Sequence, residues 1–412
     1  MNIAKAVRQI YEKRPYPSLR RSARAKRYWV LPPVPWIEAI WQGEQPIRRI
    51  LIAGCGTGNE AFAVCQKFSQ AEITAIDFSA RSISVAKNLQ RKNRKFKAIR
   101  FLVCDLANRR LPKIVGDNFD LISCHGVLSY IPQAGKVLHN FARCLAPDGL
   151  LYLGLNGEEH FSRTWRQVLP GFGMDITEFQ ETRSLRPLLK LFQVLSSHRS
   201  SAIADRNAGY LAGDLFGPLI HDWPLNQWAK LCRAAGLHLL GSYSIFRPLR
   251  AAFQDELYRP LLPRSRAQVV EIFEILKPSG FHRLMLSRQP ELRPPWKDVN
   301  KLRNWRPVLT QLYEWKWPRK TQRWATIRKA TLKSRPINTL VELPLPEWHV
   351  EFLRRSNGKN SINDILQSIP VRTARCALRD QLYLLYQLCA INLLPSASSR
   401  EIETRISRIH TN

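Results

Sequence analysis

The stretch from Arg49 to Asp77, RILIAGCGTGNEAFAVCQKFSQAEITAID, constrains the fold of this chain more than any other. Ile50 to Ala53 is an apolar run closed by Gly54, the pattern of a strand buried on both faces of a parallel sheet. Gly54, Gly56 and Gly58 alternate through a turn, where missing side chains let the backbone bend and let a ligand lie against it. Helical spacing follows from Asn59 to Phe68, and Glu72 to Ile76 reads as the next strand. Asp77 closes that strand nineteen positions after Gly58, where an acid can accept both hydrogen bonds of a ribose diol. Strand, glycine turn, helix, strand and terminal acid together read as a nucleotide-binding half-unit.

A dinucleotide fingerprint carries its third glycine one place later, but position 59 is Asn59 and the pattern is G-x-G-x-G. Three further segments follow in order. FLVCDL, Phe101 to Leu106, reads as a third strand carrying Asp105; NFDLISCHGVLSY, Asn118 to Tyr130, reads as a fourth strand and its loop; Pro147-Asp148-Gly149 turns into a fifth strand, Leu150 to Leu155. Over about residues 48 to 156 this set resembles the class I S-adenosylmethionine (SAM)-dependent methyltransferases. The resemblance implies an α/β fold, a Rossmann-like, mostly parallel seven-stranded sheet with helices on both faces. It also implies SAM as cofactor, contacted by Gly54, Cys55, Gly56, Gly58, Asp77, Phe78, Asp105, Leu106, His125 and Gly126. In that family the acid at Asp105 meets the adenine amino group, and the loop holding His125 and Gly126 lies under the sulfonium.

Methyl transfer from a sulfonium needs few catalytic groups, because the methyl is already activated and the protein mainly aligns the reactants. A general base is needed only where the nucleophile must lose a proton early. His125, Tyr130 and His221 are the candidates, and none has a motif that assigns it the role. His221 and Asp222 precede a helix over Pro224 to Ala235, where they read either as substrate or proton-transfer groups or as surface polar residues. The chain lacks an Asn-Pro-Pro-Tyr-type tetrapeptide after the fourth strand, reading Cys124-His125-Gly126-Val127-Leu128 instead, which counts against base amines as acceptors.

At 412 residues the chain is long enough for two or three domains. Residues 1–47 are expected to form an arm: a short amphipathic helix from Ile3 to Tyr11, then YEKRPYP through Pro17, a basic run and a proline-rich stretch. Tyr11 to Pro17 resembles the head of a bacterial group of methyltransferases, some of which methylate protein lysines and carry a regulatory domain. That likeness implies a lid over the cofactor; packing of Tyr11 and Tyr16 as a surface arm is the other reading, and the His-Pro pair often seen in those relatives is missing. The methyltransferase domain is expected over 48–290, with an insertion at about 157–215, a sixth strand from Leu237 to Ser244 and a seventh from Phe246 onward. Residues 291–340 read as a basic, Trp-rich linker, 341–396 as a small helical domain resembling a winged helix, and 397–412 as a tail.

Sixty-four Lys and Arg against 32 Asp and Glu give a formal charge of +32, which favours anionic surroundings or reflects a general basic bias. Tryptophans 296, 305, 315, 317 and 324 set among cations over 296–335 suit nucleic acid or an anionic surface, or else pack against the protein. Eight scattered cysteines without a C-x-x-C pair suit buried reduced thiols rather than disulfides or a metal site. With no apolar run near 18 residues and no signal-type apolar core, a cytoplasmic protein is expected. The function expected is SAM-dependent methyl transfer to an unidentified acceptor, with a small molecule or a protein side chain favoured. An RNA methyltransferase and a non-catalytic SAM-binding regulatory protein are the alternatives.

Overall fold

The computed structural model describes residues 3–17, 36–37, 40–41, 46–173, 211–242, 261–310, 313–316, 325–329, 340–343, 347–369 and 375–395. These fall into two compact units, one drawn from 1–32, 42–244 and 270–290, the other from 33–41, 245–269 and 291–412. No helix among the described residues is long and apolar enough to cross a membrane.

The first unit is built on a seven-stranded sheet: β1 (Arg49–Ala53), β2 (Glu72–Asp77), β3 (Arg100–Val103), β4 (Phe119–His125), β5 (Leu145–Asn156), β6 (His238–Ser242) and β7 (Phe281–Ser287). They lie in the order β3-β2-β1-β4-β5-β7-β6. The five central and left-hand strands pair in parallel, and β7 runs antiparallel to both β5 and β6. This is the mostly parallel, Rossmann-like sheet that the sequence implies, with helices around it. Ile50, Leu51, Ile52 and Ala53 of β1 are each at most 1% exposed, which is why that strand reads as an unbroken apolar run rather than an alternation.

The helix after the glycine turn, α2 (Asn59–Lys67), buries Ala61, Phe62, Ala63 and Val64. Its Phe62 ring meets Phe96 and Phe101 with centroids 4.6 and 5.7 Å apart, so helix, connection and β3 share one aromatic cluster. α3 (Ala80–Arg91) starts at Ser79, whose hydroxyl accepts from Ser82 N. α5 (Ala134–Cys144) buries Ala134, Val137, Leu138, Phe141 and Cys144, the apolar stripe of a helix packed on a sheet. The other named helices of this unit are α1 (Ile3–Lys13), α4 (Leu111–Val115), α6 (Phe161–Val168) and α7 (Leu225–Ala234).

Three boundaries differ from the sequence expectation. Residues from Phe246 lie outside the described ones, and the seventh strand of the sheet is Phe281–Ser287, about thirty-five positions later than expected. His282 and Arg283 interrupt the apolar residues of that seven-residue segment, so nothing local marks its place in the order. β3 stops at Val103, because Asp105 turns the chain by accepting from Ala107 N at 2.8 Å. Pro147 to Gly149 lies inside β5 as an irregularity in its pairing with β4.

In the second unit β8 (Arg306–Leu309) pairs antiparallel with β12 (Ile391–Leu394), and β9 (Tyr313–Lys316), β10 (Ala325–Lys329) and β11 (Leu340–Leu343) form a three-stranded antiparallel sheet. Three helices, α10 (Glu347–Arg354), α11 (Ile362–Gln367) and α12 (Arg375–Gln387), follow; α9 is Val299–Leu302, and α8 (Arg266–Leu276) belongs to this unit up to Val269 and to the first from Val270. α11 opens with a capping box between Ser361 and Asp364. Buried Arg266 donates through Nε and Nη2 to the Tyr386 carbonyl at 3.1 and 2.8 Å and faces Glu291, while its guanidinium lies 3.7 Å from the Tyr386 ring centroid. Trp296 is buried edge-on to Tyr383, centroids 5.1 Å apart, so this ring of the Trp-rich stretch is committed to packing. The side chains of Trp315, Trp317 and Trp324 lie outside the described residues.

Candidate active site

Strand order decides where the site forms. β3, β2, β1 and β4 are consecutive neighbours, so the residues just past their carboxyl ends share one rim: Asp105 and Leu106, Asp77 and Phe78, Gly54 to Gly58, and His125 with Gly126. The glycine loop is tied into the sheet by Gly54 N and Cys55 N, which donate to Ile76 O at 2.8 and 2.9 Å. Asp77 anchors it from the next strand, its two oxygens accepting from Gly56 N and Ser79 N at 2.9 Å each. Cys104 N donates to Asp77 O at 2.9 Å, which draws the end of β3, and so Asp105, alongside. Asp105 is exposed, whereas Leu106 is buried and its carbonyl accepts from Asn140 Nδ2 at 2.8 Å.

Two glycines are required by contact. A Cβ on Gly54, which has φ +75°, would run into Val127 of the loop after β4, and one on Gly56, φ +51°, would run into the Tyr16 carbonyl oxygen. Tyr16 and Pro17 lie directly on the turn: Thr57 N donates to Tyr16 O at 3.2 Å and Thr57 Oγ1 to Pro17 O at 2.7 Å. The same N-terminal segment places Tyr11 edge-on to Phe78, centroids 5.9 Å apart, and sets the Glu12 carboxylate on the first amides of α3, Ala80 N at 2.8 Å and Arg81 N at 3.2 Å. Gly56→Ala is therefore expected to strain the backbone by about 1–2 kcal/mol and to lift the head off the loop. Faster proteolytic cleavage near residues 14–18 reads that out, and an unchanged cleavage rate contradicts the contact.

Burial sets the electrostatics. Asp77 is 7% exposed, and burial pushes its carboxyl up to about 6 against the pull of the Ser79 and Gly56 amides. His125 is pushed down to about 3 by burial and by Arg283; its Nδ1 lies 2.9 Å from Tyr152 Oη and its ring stacks on Tyr152. A ring that stays neutral to so low a pH is a poor proton acceptor. Glu60, in the first turn of α2, is half-buried and accepts from Ser123 Oγ, and the desolvation of its carboxyl pushes it up to about 8.

The carboxyl ends of β4 and β5 carry a second polar group that sequence reading saw only in part. Tyr130 is buried with its Oη 3.2 Å from Asn156 Nδ2. His221 N donates to Ser129 O at 2.8 Å, and His221 Nε2 to Ile131 O at 3.1 Å; burial lowers its pKa. Asp222, which the sequence left between a functional and a surface reading, has a side chain only 11% exposed, held by Ser162 Oγ. His160, Ser162, Asn156 and Glu60 carry no sequence signal of their own, since each becomes polar furniture of the site only through pairing across the fold.

The residues present fit a nucleoside cofactor with an amino-acid arm. A loop whose Cβ positions are closed to side chains faces an acid with two oxygens, and next to it Gly126, φ +65°, has nothing within 4 Å of where a Cβ would stand. A family model described as a methyltransferase domain matches residues 51–151. The chain is 27% identical to an uncharacterized protein of Synechococcus sp. over 65% of this chain and 67% of that one. It is 32% identical to the malonyl-[acyl-carrier protein] O-methyltransferase of Bacillus anthracis over 27% of this chain, and spans only 39% of that relative's length. The fold matches PKMT2 from Rickettsia typhi with a TM-score of 0.53 at 15% identity, covering 88% of this chain and 75% of that one; that protein has also been solved in complex with AdoHcy. Order of strands, glycine loop and family match agree: residues 51–151 are a SAM-dependent methyltransferase domain, and its cofactor is S-adenosylmethionine.

Proposed function

We propose that the whole chain transfers the methyl group of SAM to a small molecule or a protein side chain. The observation that carries this reading is Asp77, fixed between the Gly56 and Ser79 amides on the rim where β1 and β2 end. Each carboxylate oxygen keeps a lone pair beyond the amide it accepts from, which is what a ribose diol needs. Gly54, Cys55, Gly56 and Gly58 carry the loop against the methionine arm, Phe78 and Leu106 flank the adenine, Asp105 takes its amino group, and His125 with Gly126 forms the floor. Tyr11 to Pro17 closes the loop side, in keeping with the head's likeness to a lid. The cofactor supplies a methyl group on a positively charged sulfur. The protein's part is to orient, to exclude water and to receive any proton the acceptor sheds.

Asp77 must be charged to hold the diol strongly, so SAM affinity is expected to fall as pH drops through about 6, by up to tenfold per unit below it. Calorimetric titrations from pH 5 to 8 check this; a flat profile removes Asp77 from the site.

The chain covers only part of the Bacillus relative, so that protein's acceptor does not transfer with the domain. Trp296 buried against Tyr383 and Tyr386 takes one ring away from base stacking, which weighs against RNA. Methyl-labelled SAM incubated with cell extract and the protein tests turnover: label on a protein or small-molecule acceptor supports the proposal. Label on RNA, or tight SAM binding with no labelled acceptor at all, overturns it in favour of an RNA methyltransferase or a SAM-binding regulator.

A further inference from the structure

The nearly buried carboxylate of Asp222 has no lysine or arginine among the described residues within ion-pair distance. Its partners are Ser162 Oγ, at 3.2 and 3.0 Å from its two oxygens, the Asn156 amide, and the His160 ring with Nδ1 at 3.7 Å. His160 Nδ1 also lies 2.6 Å from Ser162 Oγ. A serine has one proton to give, and Ser162 O–H gives it to Asp222; His160 Nδ1, beside that hydroxyl, also caps the helix as the acceptor of Ser162 N at 3.4 Å and so fixes where the serine stands. The carboxylate is thereby oriented in its charged form. Burial raises its pKa, against the Ser162 and Asn156 bonds and the more distant Arg166 and Arg163.

Asn156 adds a second unmet polar group. Its amide nitrogen is turned toward Asp222 and Tyr130 Oη, which leaves Oδ1 shut off from solvent with no donor. A buried acceptor without a donor is costly, and a carboxylate beside it without a cation is costlier. One ligand class relieves both, a group with N–H donors, no acceptors and a positive charge. Asn156 ends β5, at the edge where open α/β sheets bind their ligands, and Asp222, in the loop before α7, meets Ser162 just beyond that strand end.

We propose that Asp222 and Asn156 form the acceptor subsite and that the acceptor is an alkylammonium, a small amine or an amino side chain. The inference rests on the methyl-transfer reading above and specifies its acceptor. Asp222 pairs with the ammonium and then takes one of its protons: an N–H bond breaks, an O–H bond forms, the carboxylate becomes a neutral carboxyl, and the amine is left with the lone pair that a methyl acceptor needs. Ser162 and His160 are positioning residues, acting on Asp222 rather than on the acceptor. His221 and Trp223, its neighbours in the loop, complete the groups around it; His221 is already donating to Ile131 O.

The test uses the full chain saturated with S-adenosylhomocysteine and titrated at pH 7.5 with n-butylammonium or with butyrate, which stands for an acidic acceptor. The amine is expected to bind and butyrate not to. Asp222→Asn should weaken amine binding at least tenfold while S-adenosylhomocysteine affinity stays within twofold, which also shows that the variant is folded. Amine binding in the wild type should fade as pH falls through the Asp222 pKa, and Ser162→Ala should move that midpoint upward, since it removes a bond favouring the charged form. Butyrate binding as tightly as the amine, no amine binding at tens of millimolar, equal affinity in Asp222→Asn, or an unmoved midpoint in Ser162→Ala each overturns the assignment. Failure of S-adenosylhomocysteine itself to bind is a different result, which removes the cofactor reading and this inference with it.

Discussion

Asp77→Ala is expected to weaken SAM binding by roughly two to four orders of magnitude, and Asp105→Ala by roughly one to two. A hydrogen bond to a charged group contributes about 1.5 to 3 kcal/mol; in the proposed site the diol would make two to Asp77 and the adenine amine one to Asp105. The surroundings widen the gap. Asp77 is 7% exposed, whereas Asp105 sits in water, where a lost bond is replaced more cheaply. Asp77 also holds Gly56 N and Ser79 N, so its loss frees the loop as well as the diol. Asp77→Asn, which keeps the shape but not the charge, separates the two contributions. Calorimetry on the three folded variants checks the order, and comparable affinities for the two alanine variants contradict it.

The second large effect concerns stability and Glu60. Its carboxyl, half-buried against Ser123, is pushed by desolvation from an ordinary value of 4.5 to about 8. A raised folded value means that the folded protein holds a proton that the unfolded chain has already released, so stability falls with rising pH across that window. The favourable contribution is complete below about 4.5, declines by about 1.4 kcal/mol per pH unit, and is gone above about 8, a total of several kcal/mol. Glu60→Gln, which stays neutral and can still accept from Ser123, should flatten that slope and be the more stable protein at pH 9. Chemical denaturation at pH 6, 7.5 and 9 measures it; parallel slopes for wild type and variant contradict the account.

Much of the sheet was legible because parallel strands buried on both faces must be apolar throughout. Ile50 to Ala53 and Leu150 to Leu155 admit few other readings, and the glycine turn and Asp77 fix what lies between the first two strands. The seventh strand was misplaced because Phe281–Ser287 carries His282 and Arg283 among its apolar residues, and His282 is accommodated through Glu274, 3.2 Å away on α8, and the Trp223 carbonyl, 3.2 Å away. Nothing local announces that pairing. The glycine rim could be read from spacing, since backbone conformation is a property of neighbouring residues. The polar group behind it could not: Asn156, His160, Ser162 and Asp222 meet through separations of up to some sixty positions, and His160 and Ser162 taken singly look like ordinary helix-start residues. The Tyr-Pro pattern left the N-terminal head between a lid and a surface arm; its closeness to the loop shows in the Thr57 bonds to Tyr16 and Pro17 and in Gly56, where a side chain would meet the Tyr16 carbonyl.

The most direct test of the account is isothermal titration of the full chain at pH 7.5 with SAM and with S-adenosylhomocysteine. Binding of both below millimolar concentration, lost in Asp77→Ala, is the result predicted; absence of binding by either in the folded wild-type protein would contradict it.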